Sequence, residues 1–112
     1  MRRLIPLCAA LALTACHDEN RHDDAKALIA AKCGACHVVP GVRTAIGRVG
    51  PSLTGFARRQ VIAGRFTNNR QMLIRWLLHP QMLQPGGAMP DTGLTPPQAA
   101  RIADYLQTLD KR

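Results

Sequence analysis

The chain has 112 residues, a formal net charge of +8 and only one Trp, one Tyr and two Phe. This length allows one small domain with a thin protein core. The basic balance favours acidic partner proteins or anionic lipid, and it disfavours nucleic acid because no aromatic platform is interleaved with the arginines.

The first fifteen residues are predicted to be an export signal. Two arginines precede an apolar run over residues 4–13, which is too short to span a bilayer as a stable helix, and small residues follow. The next tetrapeptide resembles the lipobox of bacterial lipoproteins, in which cleavage precedes a lipid-bearing cysteine: Leu13, Thr14, Ala15 and Cys16. An ordinary signal peptide with an unmodified Cys16 is the alternative.

This interpretation divides the chain into three parts. Residues 1–15 are the lipoprotein signal peptide, residues 16–22 are lipidated Cys16 followed by a polar tether, and residues 23–112 are the folded domain. His17 and His22 are expected to be solvated tether residues. The mature protein is then expected on the periplasmic side of a bacterial membrane, attached by lipid.

The first predicted helix begins at an N-cap, Asp23 or Asp24, and carries Leu28, Ile29 and Cys33 at helical spacing. It leads into a pentapeptide that is typical of covalent c-type haem attachment: Cys33, Gly34, Ala35, Cys36 and His37. Cysteines three residues apart share one helix face, so both can form thioethers with one porphyrin, and the adjacent imidazole can ligate the iron.

Paired cysteines also occur in zinc sites and in redox dithiols. A zinc site needs four ligands, and the other histidines, His17, His22 and His79, follow no regular spacing. A thioredoxin-like dithiol would be expected beside a βαβ pattern, which the flanking sequence lacks. Covalent haem is therefore the favoured interpretation.

Two more helices and two long loops follow. The second helix is predicted from about Asn69 to His79 and must end before Pro80. The third helix begins after the N-cap Thr95, which is followed by Pro96 and Pro97, and Gln98 completes a capping box. No strand pattern emerges, and glycine and proline mark loops at 40–55 and 80–97. The apolar positions of the two helices are Met72, Leu73, Trp76 and Leu77, then Ile102, Tyr105, Leu106 and Leu109.

The order of these motifs resembles the class I cytochromes c over nearly all of residues 23–109. The resemblance is carried by the pentapeptide at 33–37, Gly-Pro-Ser-Leu-Thr-Gly at 50–55, Trp76 with Pro80, and Pro-Gly-Gly-Ala-Met-Pro at 85–90 before Gly-Leu-Thr at 93–95. It implies an all-α cytochrome c fold of three main helices wrapped around one covalent haem, in which the first and last helices cross. It also implies one His and one Met ligand. Ala25 stands where this family often has Gly, and Ile29 where it often has an aromatic residue.

Three methionines compete for the second axial position. Met89 is favoured because Pro90 extends its backbone and two preceding glycines allow a close approach to the porphyrin. Met72 is expected in the core and Met82 as a soft filler of the pocket, and His79 is the main rival ligand. The loop contains no lysine that could replace Met89.

The surroundings of the haem are also predicted. A ligating imidazole usually donates its second N–H to a carbonyl, and the resemblance assigns that carbonyl to Pro51. Arg58, Arg59 and the Trp76 indole are candidates to bind the propionates, although either arginine could instead be a solvated surface charge.

These assignments predict a non-enzymatic electron carrier with haem c and iron as cofactors and no small-molecule substrate. Nine cationic residues against Asp91 alone between residues 32 and 101 predict redox partners with acidic surfaces. We expect a membrane-tethered relay in a periplasmic respiratory chain. The alternatives are a fixed cytochrome c subunit of a larger oxidoreductase or oxidase and, less favoured, a haem enzyme or gas sensor with an open iron site.

Overall fold

The computed structural model describes residues 21–111, so the predictions for the signal peptide and Cys16 lie outside the described residues. No helix in the described range is long and apolar enough to cross a membrane. The elements follow in the order α1 (Asp23–Lys32), a 3-10 turn (Phe56–Arg58), β1 (Val61–Ile62), β2 (Phe66–Thr67), α2 (Arg70–Leu78), α3 (Pro80–Leu83) and α4 (Pro96–Leu106).

The last helix organises the core, because α4 packs against both α1 and α2. On α1 the buried residues are Ala25 and Ile29, four positions apart on one face. Ala25 and Ile29, where the family often has Gly and an aromatic residue, therefore both pack in the core. The packing of α1 against α4 confirms the expected contact between the first and last helices. The buried face of α4 comprises Ala99, Ile102, Ala103, Tyr105 and Leu106.

The ends of α2 and α4 agree with the sequence signals. Asn69 caps α2 by accepting a hydrogen bond from the Met72 N–H at 2.8 Å. Thr95 and Gln98 form the predicted capping box at the start of α4. For α1 the predicted cap is wrong: His22 is the cap residue, while Asp23 and Asp24 lie in the first turn, where their charges favour the helix dipole.

A short hairpin and a four-residue helix were not predicted. Strands β1 and β2 form an antiparallel hairpin in which Ile62 pairs with Phe66. At its tip Ala63 and Gly64 both have positive φ, and Ala63 is not a residue that signals such a turn. The second predicted loop also contains α3, which Pro80 can begin because a first-turn residue needs no N–H donor.

Tyr105 connects α4 to the loop that follows the pentapeptide. Its hydroxyl donates to the Pro40 carbonyl at 2.5 Å, and its ring meets His22 edge-on with 5.5 Å between centroids. His22 is half-buried, so the expectation that it is a solvated tether residue is wrong. Burial raises the pKa of Tyr105, so the phenol stays a neutral donor to Pro40.

Candidate haem-binding site

The pentapeptide forms a tight turn at the end of α1. The N–H groups of Cys36 and His37 both donate to the Cys33 carbonyl, at 3.1 and 3.0 Å. Cys33 and Cys36 are not joined in a disulfide, both are half-buried, and they line one cavity together with the His37 ring. The local backbone thus brings both sulfurs and the imidazole to the same wall.

A glycine-containing loop crosses directly over this turn. Gly47 donates to the Gly34 carbonyl at 3.0 Å, and Gly50 donates to the Cys36 carbonyl at 2.7 Å. A Cβ on Gly47 would lie 2.3 Å from the Ala35 carbonyl carbon, and one on Gly50 would lie 2.4 Å from His37 Cε1. Only glycine fits at either position. Gly47 was not predicted from the sequence, where the available signal was a second glycine three residues before Gly50 and Pro51.

The loop also orients the imidazole. His37 Nδ1–H donates to the Pro51 carbonyl at 2.7 Å, as the family resemblance implied. Because a carbonyl can only accept, this bond fixes the proton on Nδ1 and leaves Nε2 with a free lone pair. The tautomer is the one that an iron ligand requires.

The cavity has a volume of about 310 Å³ and a mostly apolar lining. Helix α2 supplies Leu73, Trp76 and Leu77, and Met89 enters from the loop before α4. Trp76 packs beside Phe66 with 6.1 Å between ring centroids. Among the described residues the charged groups in the lining are Lys32 and Arg59, with no carboxylate. Such a lining suits an apolar group that carries negative substituents.

The predicted propionate partners separate in the structure. Arg59 lines the cavity, donates to the Ser52 carbonyl and lies over the Phe56 ring. Arg58 is exposed and lies outside the cavity, in a shallow surface recess that Arg59 also lines. The structure therefore brings Arg59 and Trp76 to the cavity but not Arg58.

The competing ligands also separate. His79 is exposed and does not line the cavity, whereas Met89 is half-buried in its wall. Met72 packs partly buried against the core, as expected. The prediction that Met82 fills the pocket is wrong, because 66% of its surface is exposed and it lies outside the cavity.

The thiols lack the electrostatics of a redox dithiol. Burial, and secondarily Cys36, raise the pKa of Cys33 to about 11, whereas reactive redox cysteines have a lowered pKa. Within residues 21–111, no three His, Cys, Asp or Glu side chains cluster as a metal site would require. The donors that do converge are two thiols, one imidazole and one thioether, a set that fits c-type haem.

Comparison with known proteins bears on the same residues. The model of the family described as cytochrome c matches residues 22–110. The chain belongs to the cytochrome c family. The cofactor of this cytochrome c is covalently bound haem c with its iron, and the protein is an electron-transfer haem protein.

Two similar proteins are much longer than this cytochrome c. It is 45% identical over 58 residues to cytochrome c oxidase subunit 2 of Alkalihalophilus pseudofirmus, covering 52% of this chain and 16% of that protein. It is 33% identical over 90 residues to cytochrome c oxidase subunit 2 of Bacillus sp. strain PS3, covering 77% and 25% respectively. The chain therefore spans a quarter or less of these relatives.

A solved structure confirms the fold. The c-type cytochrome SorU from Sinorhizobium meliloti superposes with a TM-score of 0.57 at 18% sequence identity. The match covers 85% of this chain and 97% of that one. The all-α cytochrome c fold is thus shown.

Proposed function

We propose that this cytochrome c is a one-electron carrier whose haem is attached through Cys33 and Cys36 and whose axial ligands are His37 and Met89. The observation that carries the proposal is that all four side chains line the same apolar cavity. Haem c, when bound, supplies an iron that alternates between the ferrous and ferric states. No catalytic residue and no small-molecule substrate are part of this proposal.

The side chains around the cavity have separate tasks in this proposal. The Pro51 carbonyl holds the His37 ring in one tautomer. With haem bound, the Met89 thioether and the apolar lining would favour the ferrous state, so the reduction potential is expected to be relatively high. Arg59 and Trp76 are the cavity residues proposed to bind the propionates, because a guanidinium and an indole N–H are both donors.

Acidic redox proteins are the proposed partners. The loop between His37 and Pro51 carries exposed Arg43 and Arg48. The same loop exposes Ile46 and Val49, and Val49 also lines the cavity. A small contact with apolar residues at its centre and cations around it suits transient association that weakens with salt.

We further propose that the protein works on the periplasmic side of a bacterial membrane, in a respiratory chain, tethered by lipid on Cys16. The support is the signal-like start of the chain and its lipobox-like tetrapeptide. Multiple acyl chains on one cysteine would give a stable anchor. An intact mass of the mature protein tests this, because acylated Cys16 and one haem both add defined mass.

A second candidate function is a fixed subunit of a larger oxidoreductase. The observation that favours it is that both curated relatives are named cytochrome c oxidase subunit 2. Purification from native membranes distinguishes the candidates. A fixed subunit stays with its complex in high salt, whereas a carrier held by charge dissociates.

The ligand assignment is tested by visible spectroscopy of the haem-loaded protein. Ferric wild type should show the weak far-red band typical of Met–iron ligation in this family. Met89→Ala should abolish that band, and the matched change Met82→Ala should retain it because Met82 is exposed. Absence of the band in wild type would contradict the proposal and favour a haem enzyme or gas sensor with an open iron site.

A further inference from the structure

The segment that carries Met89 lacks regular backbone support. Within residues 21–111, no backbone–backbone hydrogen bond involves residues 88–94. The bonds that reach this segment involve side chains instead. Thr92 Oγ1 donates to the Leu77 carbonyl at a long 3.5 Å, and the two remaining bonds come from Gln81.

Gln81 holds the segment with its side chain and with its backbone. One nitrogen, Nε2, donates to the Gly87 carbonyl at 2.7 Å and to the Met89 carbonyl at 2.8 Å. The Gln81 backbone N–H donates to Asp91 Oδ1 at 3.2 Å. A carboxamide has two N–H donors, so it can bond two carbonyls at once. The three contacts span the residues on either side of Met89.

The position of Gln81 follows from the fold. Helix α3 begins at Pro80, which is buried and follows α2 after one residue. A backbone N–H in the first turn of a helix has no acceptor within that helix, so the Gln81 N–H is available to Asp91. Because α3 contacts α2, which packs against α4, Gln81 is fixed to the helical core on one side and to the Met89 segment on the other.

We infer that Gln81 is a positioning residue that holds the Met89 thioether at the cavity through its two side-chain hydrogen bonds. The inference rests on the proposed ligation by Met89. Without these bonds no hydrogen bond within the described residues reaches residues 88–90, so Met89 leaves its position more often. Two net hydrogen bonds correspond to a change of about thirtyfold in an equilibrium constant.

Competition with imidazole measures this equilibrium in the ferric, haem-loaded protein. Gln81→Leu removes both donors, and Gln81→Glu keeps the shape but directs a carboxylate at two carbonyls. Both variants should bind imidazole about thirtyfold more tightly and show a weaker far-red band. The matched changes Gln71→Leu and Gln71→Glu on the exposed face of α2 should match wild type.

Several results would overturn the inference. One is that the Gln81 variants bind imidazole with an affinity within about threefold of wild type. If their urea midpoints fell at the same time, Gln81 would have a role in stability alone. Another comes from hydrogen exchange of the wild-type protein. The inference fails if the side-chain amide protons of Gln81 exchange as fast as those of exposed Gln71. If wild type itself lacks the far-red band, the ligand assignment fails first, and the role of Gln81 with it.

Discussion

Replacing Gly47 by alanine should damage the haem-attachment turn without touching any proposed ligand. The added Cβ would lie 2.3 Å from both the Ala35 carbonyl carbon and oxygen and 2.4 Å from the Cys36 nitrogen. These atoms are backbone, so no side-chain rotation can relieve the overlap, and the loop or the turn must move. Overpacking of this kind costs about 3 kcal/mol, at the upper end of the usual range.

The matched control is Gly64→Ala at the hairpin tip. Nothing lies within 4 Å of a Cβ there, but φ is +69°, so only backbone strain of about 1 kcal/mol is expected. Urea and thermal unfolding of the haem-loaded proteins measure both changes. Each kcal/mol shifts Tm by about 4–8 °C in a domain of this size. A Gly47→Ala variant no less stable than Gly64→Ala would refute the argument from backbone overlap.

Three further predictions concern stability. Tyr105→Phe should lower the free energy of unfolding by about 1–2 kcal/mol in urea titrations, because the half-buried Pro40 carbonyl loses its donor; no change would show that solvent replaces it. The hydrogen bond and charge of Arg70 lower the pKa of Asp104, so this pair stabilises the protein at neutral pH and the benefit is lost as pH falls through that lowered pKa. The gap in urea midpoint between wild type and Asp104→Asn should therefore be present at pH 7 and close in acid, and a gap that widened in acid would contradict the sign. Met82→Ser should change stability by less than about 0.5 kcal/mol, because the side chain is largely exposed.

The sequence predicted the parts of the site that are encoded locally. A pentapeptide of fixed spacing brings both thiols and the imidazole to one wall, since a single turn after α1 determines their directions. The same holds for the capped starts of α2 and α4. The hydrogen bond between His37 and the Pro51 carbonyl joins residues fourteen positions apart. It was predicted from the family resemblance and not from local spacing.

The features that escaped prediction depend on contacts between distant segments. Gly47 looks like any loop glycine until the loop crosses the turn at Ala35. The residues around Met89 predicted its place at the cavity, but nothing near Met82 in the sequence showed that the helix beginning at Pro80 would leave it exposed. Arg58 and Arg59 are adjacent, so composition gave no reason to separate them.

The packing of α1 against α4 has a consequence for the order of events during maturation. Residues 23–32 and 96–106 are nearly the whole described chain apart, so the core closes only after the last helix has been synthesised. Ile102 and Leu106 of that helix also form part of the cavity wall. Until they dock, the sulfurs near the beginning of the chain stay open to solvent. The topology thus leaves an interval in which a prosthetic group can be ligated to an unfinished polypeptide.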